Sequence, residues 1–149
     1  MEYGYFNDIK NEYIITKPDT PYPWINYLGM KDYFTIISNT CGGYSFYKDA
    51  SKRRITRYRY NNVPLDSGGK YYYIVEDDDY WSPMWAPVKQ KLDNYECRHG
   101  LGYSTIIGER NELKCVIDYF VPIDDNCEIH SMKLVNNSDE VKSFKLFSF

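Results

Sequence analysis

The sequence predicts an all-β fold, an antiparallel β-sandwich, and two observations carry that prediction. β-branched and aromatic residues alternate with polar ones in many short segments, punctuated by seven prolines and nine glycines, the pattern of short strands joined by local turns. No window holds an apolar stripe of period 3.6, so helix is expected for a turn or two at most. At 149 residues and 43% hydrophobic content the chain can bury one real core, so disorder is not expected. Seventeen tyrosines add weight to β structure, because an apolar ring with a polar tip suits half-buried strands.

Individual strands follow from alternation. Tyr33-Phe34-Thr35-Ile36-Ile37-Ser38 reads as one. Lys70 to Glu76 reads as another, with Tyr71, Tyr73 and Val75 on one face and Tyr72 and Ile74 on the other. Leu113 to Val121 is closed by Pro122, which has no N–H for the ladder. Glu128 to Val135 sets His130, Met132 and Leu134 in phase. After the polar loop from Asn136 to Glu140, Val141 to Phe149 alternates again, and the two segments read as a hairpin. In the last segment Phe144 and Leu146 point one way and Phe147 and Phe149 the other. A strand apolar on both faces expects neighbours that these residues do not supply. Residues 1–149 therefore read as part of one sandwich domain, with no second domain; a natural terminal strand of a complete small domain is the alternative.

Charge excludes several classes of function. A net charge of −3 does not fit a nucleic-acid surface, which needs clustered positive charge. The one basic cluster, Lys52-Arg53-Arg54 with Arg57 and Arg59, reads as a solvated strand face. There is neither a basic, apolar leader at the amino terminus nor a membrane-length apolar run, so a cytoplasmic protein without membrane contact is expected. Cys41, Cys97, Cys115 and Cys127 are widely spaced and read as reduced thiols, mostly packed.

Chemistry-bearing constellations are sparse. Asp77-Asp78-Asp79 and Asp124-Asp125 read as solvated turns and lack the spacing of a calcium loop. His99, in the Arg98-His99-Gly100-Leu101-Gly102 turn, is expected to make structural hydrogen bonds, and His130 to pack in a strand. No metal site, catalytic residue or cofactor is expected. The pattern that does stand out is aromatic. From Pro18 to Asn62 tyrosines, phenylalanines and Trp24 are set among glycines and guanidinium groups, and sugars need flat rings for their C–H faces and planar polar groups for their hydroxyls. The paired glycines of Gly42-Gly43-Tyr44-Ser45-Phe46-Tyr47 permit a sharp turn and close backbone approach, with rings projecting from a short loop. Trp24, Trp81 and Trp85 are read as packing residues.

Several blocks together resemble the inverting disaccharide phosphorylases of glycoside hydrolase family 94. They are Tyr3-Gly4-Tyr5-Phe6, Glu12-Tyr13, Pro21-Tyr22-Pro23-Trp24-Ile25-Asn26-Tyr27-Leu28-Gly29, Gly42 to Tyr47, Arg57-Tyr58-Arg59-Tyr60-Asn61-Asn62, Arg98 to Tyr103, and Leu146-Phe147-Ser148-Phe149. The Pro21 and Arg57 blocks look more like the cellobiose phosphorylase branch than the chitobiose branch. The resemblance implies the first part of an amino-terminal galactose-mutarotase-like supersandwich, with the catalytic (α/α)6 barrel outside this chain. It also implies a homodimer, a β-linked glucose disaccharide as substrate and inorganic phosphate as co-substrate. In such enzymes phosphate is itself the nucleophile, so one Asp acid and groups that hold phosphate are enough for inversion. None of these matches residues 1–149, and the segment alone is expected to be inactive. Tyr47 is the one position the resemblance marks for substrate binding, on a loop reaching the neighbouring subunit's active site. A free-standing sugar-binding sandwich without catalysis is the competing reading.

Overall fold

A computed structural model describes residues 2–56 and 68–149. They form twelve strands and no helix: β1 (Gly4–Asn7), β2 (Glu12–Ile15), β3 (Ile25–Leu28), β4 (Tyr33–Ser38), β5 (Ser45–Tyr47), β6 (Tyr72–Glu76), β7 (Asp79–Trp81), β8 (Asn94–Gly100), β9 (Tyr103–Arg110), β10 (Leu113–Phe120), β11 (Ile129–Asn136) and β12 (Lys145–Ser148). All pairings are antiparallel. A six-stranded sheet runs β1-β2-β8-β9-β10-β11, and two three-stranded sheets run β3-β4-β5 and β12-β6-β7.

The all-β sandwich expected from the sequence is what forms. Alternation aims Ile15, Cys97, Ile106, Cys115, Ile117 and Tyr119 of the large sheet inward. Leu28, Tyr33 and Ile37 of one small sheet and Ile74 and Trp81 of the other complete the same buried cluster. Burying a large apolar side chain is worth roughly 1.5–3 kcal/mol, so this shared core holds the layers together.

Each turn has a local reason. The β8–β9 connection is the two-residue Leu101-Gly102, with Gly102 at φ +83°, the left-handed conformation that tight hairpins need. Asp77 and Asp78 form the β6–β7 turn as expected for a solvated acidic run, and Asp79 pairs with Arg110 at 2.6 Å. Strands β4 and β10 and the phase of His130, Met132 and Leu134 agree with the sequence. Tyr71 departs from simple alternation: it precedes β6 and is buried beside Lys70.

One expectation is overturned. β11 and β12 are not a hairpin: β11 pairs with β10, from Phe120↔Ile129 to Leu113↔Asn136, whereas β12 pairs with β6 through Leu146↔Ile74 and Phe147↔Tyr73. The polar loop is real, since the Asn136 side chain accepts from Ser138 N–H at 3.0 Å and donates to Glu140 O at 2.7 Å. Residues 137–144 then cross to the opposite layer. There Phe144 packs against the core, burial that a solvated β11 edge does not offer, while Leu146 pairs with Ile74 and stays 44% exposed.

Candidate functional site

The aromatic motifs converge on the β3-β4-β5 sheet, but its two faces separate them. Register places Phe34 opposite Phe46 and Tyr33 opposite Tyr47, and residues directly opposite each other share a face. Phe34 and Phe46 stack at 5.5 Å between ring centroids, Tyr44 lies 5.9 Å from Phe46, and Tyr27 is largely exposed, so these rings form the outer face. Ser45 and Tyr47 look the other way, toward the layer that holds buried Tyr33 and Thr35. Tyr47 is half-buried; its hydroxyl donates to Asp32 Oδ2 at 3.3 Å, and the Lys48 ammonium sits 5.1 Å from its ring centre. The hydrogen bond to Asp32 raises Lys48 above the ordinary lysine value.

The paired glycines act differently from the expected turn. The chain reverses earlier, at Asn39 and Thr40, and Gly42 forms a bridge with Gly69. Gly43, at φ +131°, donates its N–H to Gly68 O at 2.8 Å, and a Cβ there would lie 2.1 Å from Ile36 O. A Cβ on Gly69 would lie 2.2 Å from Cys41 O. Two backbones thus approach too closely for side chains, and Ser45 to Tyr47 continue as a strand, not a projecting loop. The Arg57 to Asn62 motif, with Arg57 and Arg59 of the basic cluster, lies outside the described residues. Lys52 and Arg53 are exposed, as a solvated face requires.

A buried polar network lies beneath this sheet, and the sequence reading did not find it. Glu128 Oε1 receives Lys70 Nζ at 3.1 Å and His130 Nε2 at 2.9 Å, while Oε2 accepts from Ser45 Oγ at 2.6 Å. Tyr72 donates to His130 Nδ1 at 2.7 Å, and Lys70 also contacts Thr35 Oγ1. Burial alone would raise the Glu128 carboxyl, but the His130 hydrogen bond, the Lys70 charge and the Ser45 hydroxyl hold it at about 2. Burial lowers Lys70 against the pull of that carboxylate. With three donors on Glu128, the charged pair is the state the geometry supports. Serine, histidine and carboxylate are all present, yet Ser45 donates to the carboxylate and not to the imidazole. A carboxylate held at about 2 is too weak a base to activate it, so the cluster ties layers together.

The remaining expected residues pack. His99 Nε2 donates to Trp24 O at 2.9 Å and Nδ1 accepts from Ser104 Oγ at 2.9 Å. Burial holds His99 below the usual imidazole value, so it is a neutral tether. Asn26 supplements it by donating to Gly100 O and Tyr103 O, both at 3.0 Å. Trp81 is fully buried, while Trp24 and Trp85 are half-buried against the core. Cys41, Cys97 and Cys115 are buried and unbridged and Cys127 is exposed; burial pushes the Cys115 thiol up to about 12, far from a reactive thiolate.

Fold and surface together define an antiparallel β-sandwich with exposed aromatic rings on one sheet and no assembled catalytic group among the described residues. Residues 11–149 match the family described as glycosyl hydrolase 94, supersandwich domain, and the chain belongs to that family. It is 43% identical to an N,N'-diacetylchitobiose phosphorylase of Vibrio proteolyticus and 39% identical to one of Vibrio furnissii, in each case over the whole chain and 19% of the relative. A 3-O-beta-D-glucopyranosyl-beta-D-glucuronide phosphorylase of Paenibacillus borealis is 36% identical over 98% of the chain and 18% of its own length. The chain thus spans about a fifth of these relatives. Among the described residues no helix is long and apolar enough to cross a membrane.

Proposed function

We propose that this chain is the amino-terminal supersandwich segment of a cytoplasmic, homodimeric, inverting disaccharide phosphorylase. The parent reaction is cleavage of a β-linked disaccharide by inorganic phosphate, giving a sugar 1-phosphate and a free sugar. The match to the supersandwich family over residues 11–149 carries this reading. The acid and the phosphate-binding groups belong to the barrel that follows, and the segment contributes carbohydrate and subunit contacts through Tyr47. No cofactor beyond phosphate as co-substrate is required, since phosphate supplies the nucleophile.

Two substrates stand against each other. The Pro21 to Asn26 and Arg57 to Asn62 motifs favour cellobiose, while identity of 43% and 39% to proteins named for N,N'-diacetylchitobiose favours the acetylated disaccharide. Phosphate-dependent release of sugar 1-phosphate, measured with both disaccharides, decides between them. Residues 1–149 alone are expected to release none; turnover above a heat-denatured control would overturn the assignment of chemistry to the barrel.

A further inference from the structure

The outward face of the six-stranded sheet carries an arrangement that neither the core nor the phosphorolysis reading uses. Gly100 and Tyr103 are directly opposed at the end of the β8–β9 hairpin. A Cβ on Gly100 would lie 2.4 Å from Tyr103 Cζ and 2.6 Å from Cε1, so the ring lies flat across the glycine. Beyond it, the Tyr103 hydroxyl donates to Glu12 Oε1 at 2.5 Å. Glu12 is only 4% exposed, and its second carboxylate oxygen is buried with no hydrogen-bond partner. Such an atom is destabilising unless a donor reaches it.

The neighbouring row supplies donors and a border. Arg98 stands opposite Thr105, and Thr105 opposite Asp118, while Phe120 stands opposite Tyr103. Arg98 pairs with Glu96 through Nε and is part-exposed. Thr105 Oγ1 donates to Asp118 Oδ1 at 2.6 Å, fixing that carboxylate. Same-face rows are about 7 Å apart along a strand and strands about 4.8 Å apart, a footprint the size of one pyranose ring.

We propose that this face is a binding site for a neutral pyranoside, stacked by its C–H face on Tyr103 beside the Arg98 guanidinium and the Glu12 carboxylate. A flat ring beside a carboxylate and a guanidinium meets the two needs of a sugar, an apolar face and planar polar rims. Charge sets the preference for a neutral ligand, since Glu12, Glu96 and Asp118 outnumber Arg98 and repel a uronate or a phosphate. The site is separate from Tyr47, which faces the opposite layer, and it stands whether or not the parent enzyme is a phosphorylase.

The test is titration of the isotope-labelled protein with methyl β-glucoside, cellobiose and methyl β-glucuronide, followed by amide shifts. The expected result is saturable shifts centred on Gly100, Tyr103 and Phe120, with a dissociation constant of the order of 1–10 mM, typical of one small ligand on an open face. The glucuronide should bind more weakly. Tyr103→Ala should weaken binding about tenfold, and Tyr103→Phe, which keeps the ring, only a few-fold. Should Tyr103→Ala not fold, Arg98→Gln serves instead, with a several-fold loss expected. Absence of shifts at these amides, a preference for the glucuronide, or binding unchanged in Arg98→Gln and the Tyr103 variants would overturn the proposal.

Discussion

Lys70 Nζ lies 3.1 Å from Glu128 Oε1 with the two side chains only 6% and 7% exposed, joining the approach to β6 in one layer to the approach to β11 in the other. Removing one partner of a buried pair strands the other charge, which typically costs 3–5 kcal/mol. Glu128→Gln keeps the shape and one hydrogen-bond acceptor but leaves Lys70 unpaired. It should destabilise the fold by about 3 kcal/mol, seen as a lower midpoint in denaturant unfolding at unchanged slope. A loss within experimental error would mean that the pair is not what joins the layers.

Acidification should unfold the protein in two stages of the same sign. Glu128 is held at about 2 against a usual 4.5; its folded value is depressed, so its contribution is complete above 4.5 and is lost as pH falls toward 2. A shift of this size is worth about 3 kcal/mol by linkage. His99 is lowered by burial from a usual 6.5; below that pH the unfolded chain takes up a proton that the folded chain refuses. Stability should therefore decline gently on acidification below 6.5 and steeply below 4.5. Unfolding midpoints at pH 7, 5.5 and 3.5 measure both stages, and Glu128→Gln should flatten only the lower one.

The outer strand of the β12-β6-β7 sheet exposes Leu146, Phe147 and Phe149, with Phe149 83% exposed. An apolar strand with an unpaired edge is a template for association. Purified residues 1–149 should self-associate with rising concentration in light scattering, and Phe147→Lys with Phe149→Lys should suppress this. A monodisperse wild-type chain at high concentration would show that the edge is inert.

Sequence patterning reached the elements governed by local alternation. β4 and β10 emerge because β-branched and aromatic residues dominate short runs there, and His99 because a lone histidine beside a glycine turn has few roles other than tethering. The partner of β12 was not legible, because a polar loop after a strand suggests a hairpin whether the chain returns or crosses. The Lys70–Glu128 network escaped because its bonded partners lie up to 83 residues apart in segments that only the layered fold superposes. Taken singly, a lysine or a glutamate at the start of a strand carries no sign of burial. The orphaned oxygen of Glu12 has no sequence signal at all; the Glu12-Tyr13 and Arg98 to Tyr103 motifs marked its surroundings without saying why.

Tyr47 is the residue whose role the geometry divides most evenly between packing and binding. Its hydroxyl bond to Asp32 is long at 3.3 Å and its ring is half-buried beside an exposed lysine, so it is held without being locked into the core. In the full-length enzyme Tyr47→Ala should weaken disaccharide use with folding nearly intact. Loss of a stacking ring costs about 0.5–1.5 kcal/mol beyond area burial, a several-fold drop in kcat/KM. A core tyrosine would respond otherwise, since truncating a large buried aromatic costs about 3–5 kcal/mol of stability. Tyr47→Phe separates the hydroxyl from the ring: it should leave stability within about 1 kcal/mol and retain most of the sugar stacking. Thermal unfolding and saccharide kinetics on both variants decide the matter. A large stability loss in Tyr47→Ala, with unchanged kinetic constants for the enzyme that remains folded, would assign Tyr47 to packing alone.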